Sequence, residues 1–107
     1  MLHTDLANGR WGTLSLMEQL GNIGSEIGRG VRSKGKDEIK FQNAVARALE
    51  LFDLTLADPR WRGRKTEIAR AREVFCDAVS GGTIYHSTLQ DIDRYFLPFA
   101  VAARREK

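Results

Sequence analysis

The feature that most constrains this chain is a set of glycines spaced as one side of a helix. Met17, Gly21, Gly24 and Gly28 recur at steps of four, three and four. A second series, Leu16, Leu20, Ile23, Ile27 and Val31, runs beside it at steps of four, three, four and four. Both spacings follow the 3.6-residue turn, and the two stripes lie about 100° apart around one helix. Ser15 opens that helix, with Glu18 placed to complete a capping box. A phosphate-cradling loop would need a strand before the glycines and a helix mouth after them, and neither is present. Each glycine inside a helix costs about 0.5–1 kcal/mol relative to alanine, so the flank of Gly21, Gly24 and Gly28 calls for the close approach of another helix. That partner helix can belong to the same chain or to another subunit.

Three further amphipathic segments follow. Between Asp37 and Ala57, the residues Phe41, Val45, Ala48, Phe52 and Leu56, widened by Leu49, form an inward stripe, with Lys40, Asn43, Arg47 and Glu50 facing solvent. Pro59 disfavours helix at Asp58 and ends this segment. Ile68, Ala71, Phe75 and Ala78 predict a third helix over Arg64 to Val79, stopped by Gly81-Gly82. Ser87 with Gln90 predicts the cap of a fourth, carrying Leu89, Ile92, Phe96, Phe99 and Ala103; Pro98 should kink it near Arg94 or end it early. No segment alternates with period two. The expected fold is all-α, an antiparallel up-down-up-down four-helix bundle forming a single domain over 1–107, with residues 1–12 as an aperiodic, flexible N-terminal arm.

That topology gathers charge. The link between the second and third helices falls at the end of the bundle where the first helix starts and the fourth finishes. Arg10, Arg60, Arg62, Arg64, Lys65, Arg104, Arg105 and Lys107 would meet there, with Asp58, Glu67 and Glu106 the nearby acids. Arg29, Arg32, Lys34, Lys36 and Lys40 would mark the other end. The formal net charge is only +3, so distribution matters more than bulk basicity. Trp11 and Trp61 lie within the first group, and cations interleaved with an aromatic can hold phosphates and stack a base. A nucleic-acid site formed by Arg60, Trp61, Arg62, Arg64, Lys65, Arg104 and Arg105 stands beside a second reading, in which these residues only solvate helix ends and Trp61 covers the core.

Catalytic and metal chemistry find little footing. His3 and His86 are the only histidines, and no second ligand stands at zinc-site spacing from either. Glu-x-x-His pairs of the di-iron type are missing. Glu73 and Asp77 share a helix face at i,i+4, but Arg70 and Arg72 beside them favour an ion-pair surface over a magnesium cluster. Cys76 has no second cysteine and reads as a packing residue. No catalytic residue, metal or cofactor is expected. No apolar run reaches the roughly 20 residues of a membrane span, and "MLHTDLANGR" lacks signal-peptide organisation, so a cytoplasmic protein without membrane contact is expected.

The stretch "EQLGNIGSEIGRGVRSKGKDEIKFQNAVARALELFDLTL", Glu18 to Leu56, resembles the first helical hairpin of the four-helix proteins of ribosomal RNA intervening sequences, a fold shared by the accessory (Avd-like) proteins of diversity-generating retroelements. Gln19, Ile27, Gly30, Ser33, Lys34, Glu38, Ile39 and Phe41 occupy the places of that pattern. The extra Gly35-Lys36 in the turn and the segment "DPRWRGR" depart from it. The resemblance implies a ring-forming homo-oligomer with a basic surface for nucleic acid, RNA or a DNA/RNA hybrid, with no catalysis of its own and a protein partner such as a reverse transcriptase. Two functions remain open. One is a non-enzymatic nucleic-acid-binding bundle, an RNA or retroelement accessory factor; the other is a structural or regulatory interaction module that oligomerises through its glycine-lined helix.

Overall fold

The structure is a computed structural model in which residues 9–105 are described. Four α-helices pack together: α1 (Leu16–Ser33), α2 (Glu38–Ala57), α3 (Lys65–Val79) and α4 (Leu89–Arg105). Two short 3-10 segments flank them, one at Trp11–Thr13 and one at Pro59–Arg64. No strand occurs among the described residues. The expected arm falls, over residues 1–8, outside the described residues, whereas Trp11 is buried in the core at 3% exposure.

α1 starts as its sequence predicts. Ser15 Oγ accepts from the Glu18 amide at 3.1 Å, and the Ser15 amide donates to Glu18 Oε1 at 3.0 Å. The helix is enclosed on two sides by α2 and α4. Its glycine flank lies under α4. A Cβ built on Gly21 would stand 2.8 Å from Ala103 Cβ and 3.0 Å from the Phe99 carbonyl oxygen, and one on Gly24 would stand 3.0 Å from Phe96 Cβ. Beyond them Gly28 faces the Arg32 guanidinium and the Asp93 carboxylate. Ile23 and Ile27 are fully buried, while Leu16, Leu20 and Val31 are only half-buried.

α2 buries Phe41, Ala48 and Phe52 of its expected stripe but is rotated so that the stripe widens toward Ala44, Leu51 and Thr55. Asp37 caps it, its Oδ1 accepting from the Lys40 amide at 3.0 Å. The buried residues are Phe41, Ala44, Ala48, Leu51, Phe52 and Thr55, whereas Val45, Leu49 and Leu56 are half-buried. Packing from both α1 and α3 sets this register, since a helix held between two neighbours buries the bisector of both contacts. Arg47, expected in solvent, is accordingly drawn in, with its Nε 3.0 Å from Oε2 of the buried Glu26 on α1.

The core closes around three phenylalanines, all 2% exposed or less. Phe52 of α2 lies 5.9 Å, ring centroid to centroid, from both Phe75 of α3 and Phe96 of α4. α3 buries Ile68, Phe75 and Ala78, with Ala71 half-buried, and ends in a turn where Gly81 and Gly82 take φ of +117° and +72°. The cap of α4 is one residue later than expected. Thr88 and Asp91, not Ser87 and Gln90, exchange the reciprocal bonds, at 3.1 and 3.0 Å. The shorter Asp carboxylate reaches back from the third helical position as a Glu or Gln would. α4 also runs through Pro98 to Arg105 without ending early. Pro98 lies on the exposed side, where water can satisfy the Arg94 carbonyl.

Candidate nucleic-acid interface

The candidate site is built on the break between α2 and α3. Asp58 takes the extended conformation required before Pro59 (φ −73°, ψ 116°), and its Oδ1 accepts from the Arg60 amide at 3.0 Å. Pro59 then supplies the first position of the Pro59–Arg64 segment, where its missing N–H costs nothing. The carboxylate of Asp58 also holds the Arg60 side chain, through Nε at 3.0 Å and Nη2 at 2.7 Å. The same Nη2 donates to the Leu14 carbonyl at 2.6 Å, so Arg60 ties this segment to the residues preceding α1.

Gln19 sits behind that ion pair with no exposed surface. Its Nε2 donates to Asp58 Oδ2 at 3.0 Å and to the Trp11 carbonyl at 2.9 Å, while its Oε1 accepts from Trp61 Nε1 at 2.9 Å. Trp11 Nε1 donates to Thr55 Oγ1 at 3.2 Å, and the Thr55 hydroxyl donates in turn to the Leu51 carbonyl at 2.9 Å. Every polar atom of the Gln19 side chain has a partner, which is what makes its burial tolerable. Hydrogen bonding from Arg60, reinforced by Gln19 against the opposing effect of burial, holds the Asp58 carboxyl well below the usual carboxylate range. Arg60 is raised in turn, chiefly by its hydrogen bonds to Asp58.

The residues expected to touch nucleic acid therefore divide in two. Arg60 and Trp61, the first exposed and the second half-buried, are engaged with other groups of the protein: the Arg60 guanidinium lies over the Trp61 ring, 4.4 Å from its centroid, and the indole N–H is taken by Gln19. Arg62, Arg64 and Lys65 are exposed. Arg64 has only a loose approach to Glu67, at 3.9 Å, and among the described residues Arg62 and Lys65 make no ion pair. Arg104 and Arg105 are also exposed and follow directly on Ala103, which packs against Gly21 near the start of α1. Arg64 shares a cleft of about 260 Å³ with Leu16, Met17 and Leu20 of α1 and with Tyr95 and Phe99 of α4. The cations of the second 3-10 segment and of the α4 terminus thus flank the same end of α1. Lys107 lies outside the described residues.

At the far end Arg29 is 2.6 Å from Glu26, which also pairs with Arg47, while Lys34, Lys36 and Lys40 stand in solvent. No group of three or more potential metal ligands occurs among the described residues; His3 lies outside them. Glu73 accepts from the Tyr85 hydroxyl at 2.8 Å, and Asp77 is buried, its carboxylate accepting from the amides of Ile84 and Tyr85 at 3.2 and 2.9 Å. Asp77 thus organises the loop between α3 and α4. No helix of the described residues is long and apolar enough to cross a membrane.

The Gln19 network was not anticipated from sequence, although a signal existed. Gln19 precedes the buried Ile23 by four residues, a polar side chain in line with the core face, and Asp58-Pro59 is a turn signal with a carboxylate to place. In comparisons with known proteins, no family model, no curated protein and no solved structure matched the chain.

Proposed function

We propose that the chain is a non-enzymatic nucleic-acid-binding bundle, its helices arranged antiparallel in up-down-up-down order, acting in the cytoplasm as an accessory factor for RNA or a DNA/RNA hybrid. The observation that carries this reading is the exposure of Arg62, Arg64 and Lys65 on a segment fixed to the core by Asp58, Gln19 and Arg60. Cations held on a rigid frame lose little freedom when they meet phosphates, and Arg104 and Arg105 extend the surface. A protein partner such as a reverse transcriptase belongs to the same reading. A gel-shift panel of RNA duplex, DNA duplex and hybrid tests it: binding should weaken steeply between about 50 mM and about 200 mM salt. Absence of binding to all three at the lower salt contradicts it.

A second reading, a protein-interaction module, is favoured by a different observation. Between α3 and α4 lies a groove of about 400 Å³ lined by Ala71, Val74, Ile92, Phe96 and Tyr95, the last 62% exposed. The glycine flank does not serve this reading, because Gly21 and Gly24 are covered by α4 of the same chain. Light scattering across a concentration series separates the two: self-association abolished by Tyr95→Arg, without nucleic-acid binding, supports the module.

A further inference from the structure

Resting on the nucleic-acid reading above, we infer that the basic end takes double-stranded nucleic acid by its phosphate backbone, with Trp61 bracing the loop and no base stacked on it. Single-strand binding surfaces rely on aromatic faces open to successive bases. Trp61 is the sole aromatic residue of the Pro59–Arg64 segment, and it is half-buried, packed against the core. One ring face carries the Arg60 guanidinium at 4.4 Å, and its N–H is fixed on Gln19 at 2.9 Å. Arg60 cannot swing away without leaving both the Asp58 carboxylate and the Leu14 carbonyl. What remains exposed is a row of point charges and guanidinium forks, Arg62, Arg64 and Lys65, on a backbone pinned at its start by Asp58 and continued directly into α3. Such a surface suits closely spaced phosphates, contacts that fix position without reading sequence. A duplex supplies the denser row of phosphates and keeps its bases stacked, so nothing is lost by the lack of an aromatic platform.

The exposed aromatic nearest to these cations is Tyr95, which shares the cleft with Arg64 and packs edge-on against Phe96 and Phe99. It supplies the control. Fluorescence anisotropy with a duplex of about 20 base pairs (two helical turns) and a single strand of the same length should show the duplex bound several-fold tighter, with a log–log salt slope near 0.9 per phosphate contact. Trp61→Phe keeps an aromatic ring beside Arg60 but shortens it and leaves Gln19 Oε1 without its donor, so both affinities can fall together; in it, as in Tyr95→Ala, the ratio of duplex to single-strand affinity should stay within about twofold of wild type. A single strand bound more tightly than the duplex, or a loss confined to the single strand in Trp61→Phe or Tyr95→Ala, overturns the inference while leaving nucleic-acid binding in place. Binding to neither probe overturns both.

Discussion

The indole N–H of Trp61 donates to the side-chain oxygen of Gln19 at 2.9 Å, across 42 residues of sequence. That single bond joins the loop bearing the exposed cations to the interior of α1. Because the other end of the Gln19 amide bonds Asp58 and the Trp11 carbonyl, one side chain holds three separate chain segments in register.

Gln19→Leu should therefore destabilise the protein far more than an apolar swap inside a helix would suggest. Leucine suits the helix but leaves the Trp61 N–H without a partner and takes one donor each from the Asp58 carboxylate and from the Trp11 carbonyl, which keeps only the Leu14 amide at 3.2 Å; a group orphaned in this way costs about 1–3 kcal/mol. Urea unfolding at neutral pH measures the loss. An unchanged midpoint would mean that water replaces the amide without cost.

The glycine flank yields a graded series. Gly21→Ala puts a methyl 2.8 Å from Ala103 Cβ, with backbone also near, and should cost about 1–3 kcal/mol through overpacking despite the better helix propensity of alanine. Gly28→Ala meets only the ends of the Arg32 and Asp93 side chains, at 3.2 and 3.4 Å. Those ends can yield, so the propensity gain of up to about 1 kcal/mol should show. Thermal melts of the two variants should move in opposite directions.

Asp58 makes stability depend on acidity. Its folded-state pKa is depressed by Arg60 and Gln19, so its contribution is fully present above the unfolded-state value near 4 and is lost as pH falls toward the folded value. Asp91, lowered by its bonds to Thr88, acts in the same direction. Denaturant midpoints measured from pH 6 downward should fall below about pH 4 as these carboxylates take up protons. Asp58→Asn should be less stable at neutral pH and show a shallower acid dependence. Equal slopes for the variant and wild type would assign the acid sensitivity elsewhere.

Asp77 should govern the loop between α3 and α4. Its carboxylate is the acceptor for the Ile84 and Tyr85 amides, and His86 beside them takes the left-handed conformation with φ of 60°. Asp77→Ala should raise hydrogen exchange at both amides, whereas Asp77→Asn, which retains one acceptor oxygen, should raise it at one more than the other. Unchanged exchange in both variants would show that the loop holds its shape by other means.

Local chemistry was legible in the sequence where it acts over a few residues. The Ser15 capping box, the break at Asp58-Pro59, the α3 stripe and the glycine series all follow from period, cap and turn rules. What depends on distant partners was not. The register of α2 turns on contact with two neighbours at once, so Ala44, Leu51 and Thr55 are buried while Val45 and Leu56 pack half-buried at the edge of the core. Trp61 reads from sequence either as open to a base or as a cover on the core, because nothing local shows that Arg60 will lie over its ring or that Gln19 will take its N–H. Thr88 in place of Ser87 is a one-residue ambiguity between two adjacent hydroxyls, decided by where the chain leaves the Asp77 loop.

Charge removal at the loop is the most direct test of the basic end as a phosphate-binding surface. Arg62→Ala/Arg64→Ala touches neither the Asp58 ion pair nor the Gln19 network, so thermal melts should match wild type. Anisotropy titrations of this double variant on a duplex, run across a salt series, should show weaker binding on every sequence and a log–log salt slope lower by about 1 to 2. Wild-type affinity with a wild-type slope would contradict the account and leave these arginines as solvated surface alone.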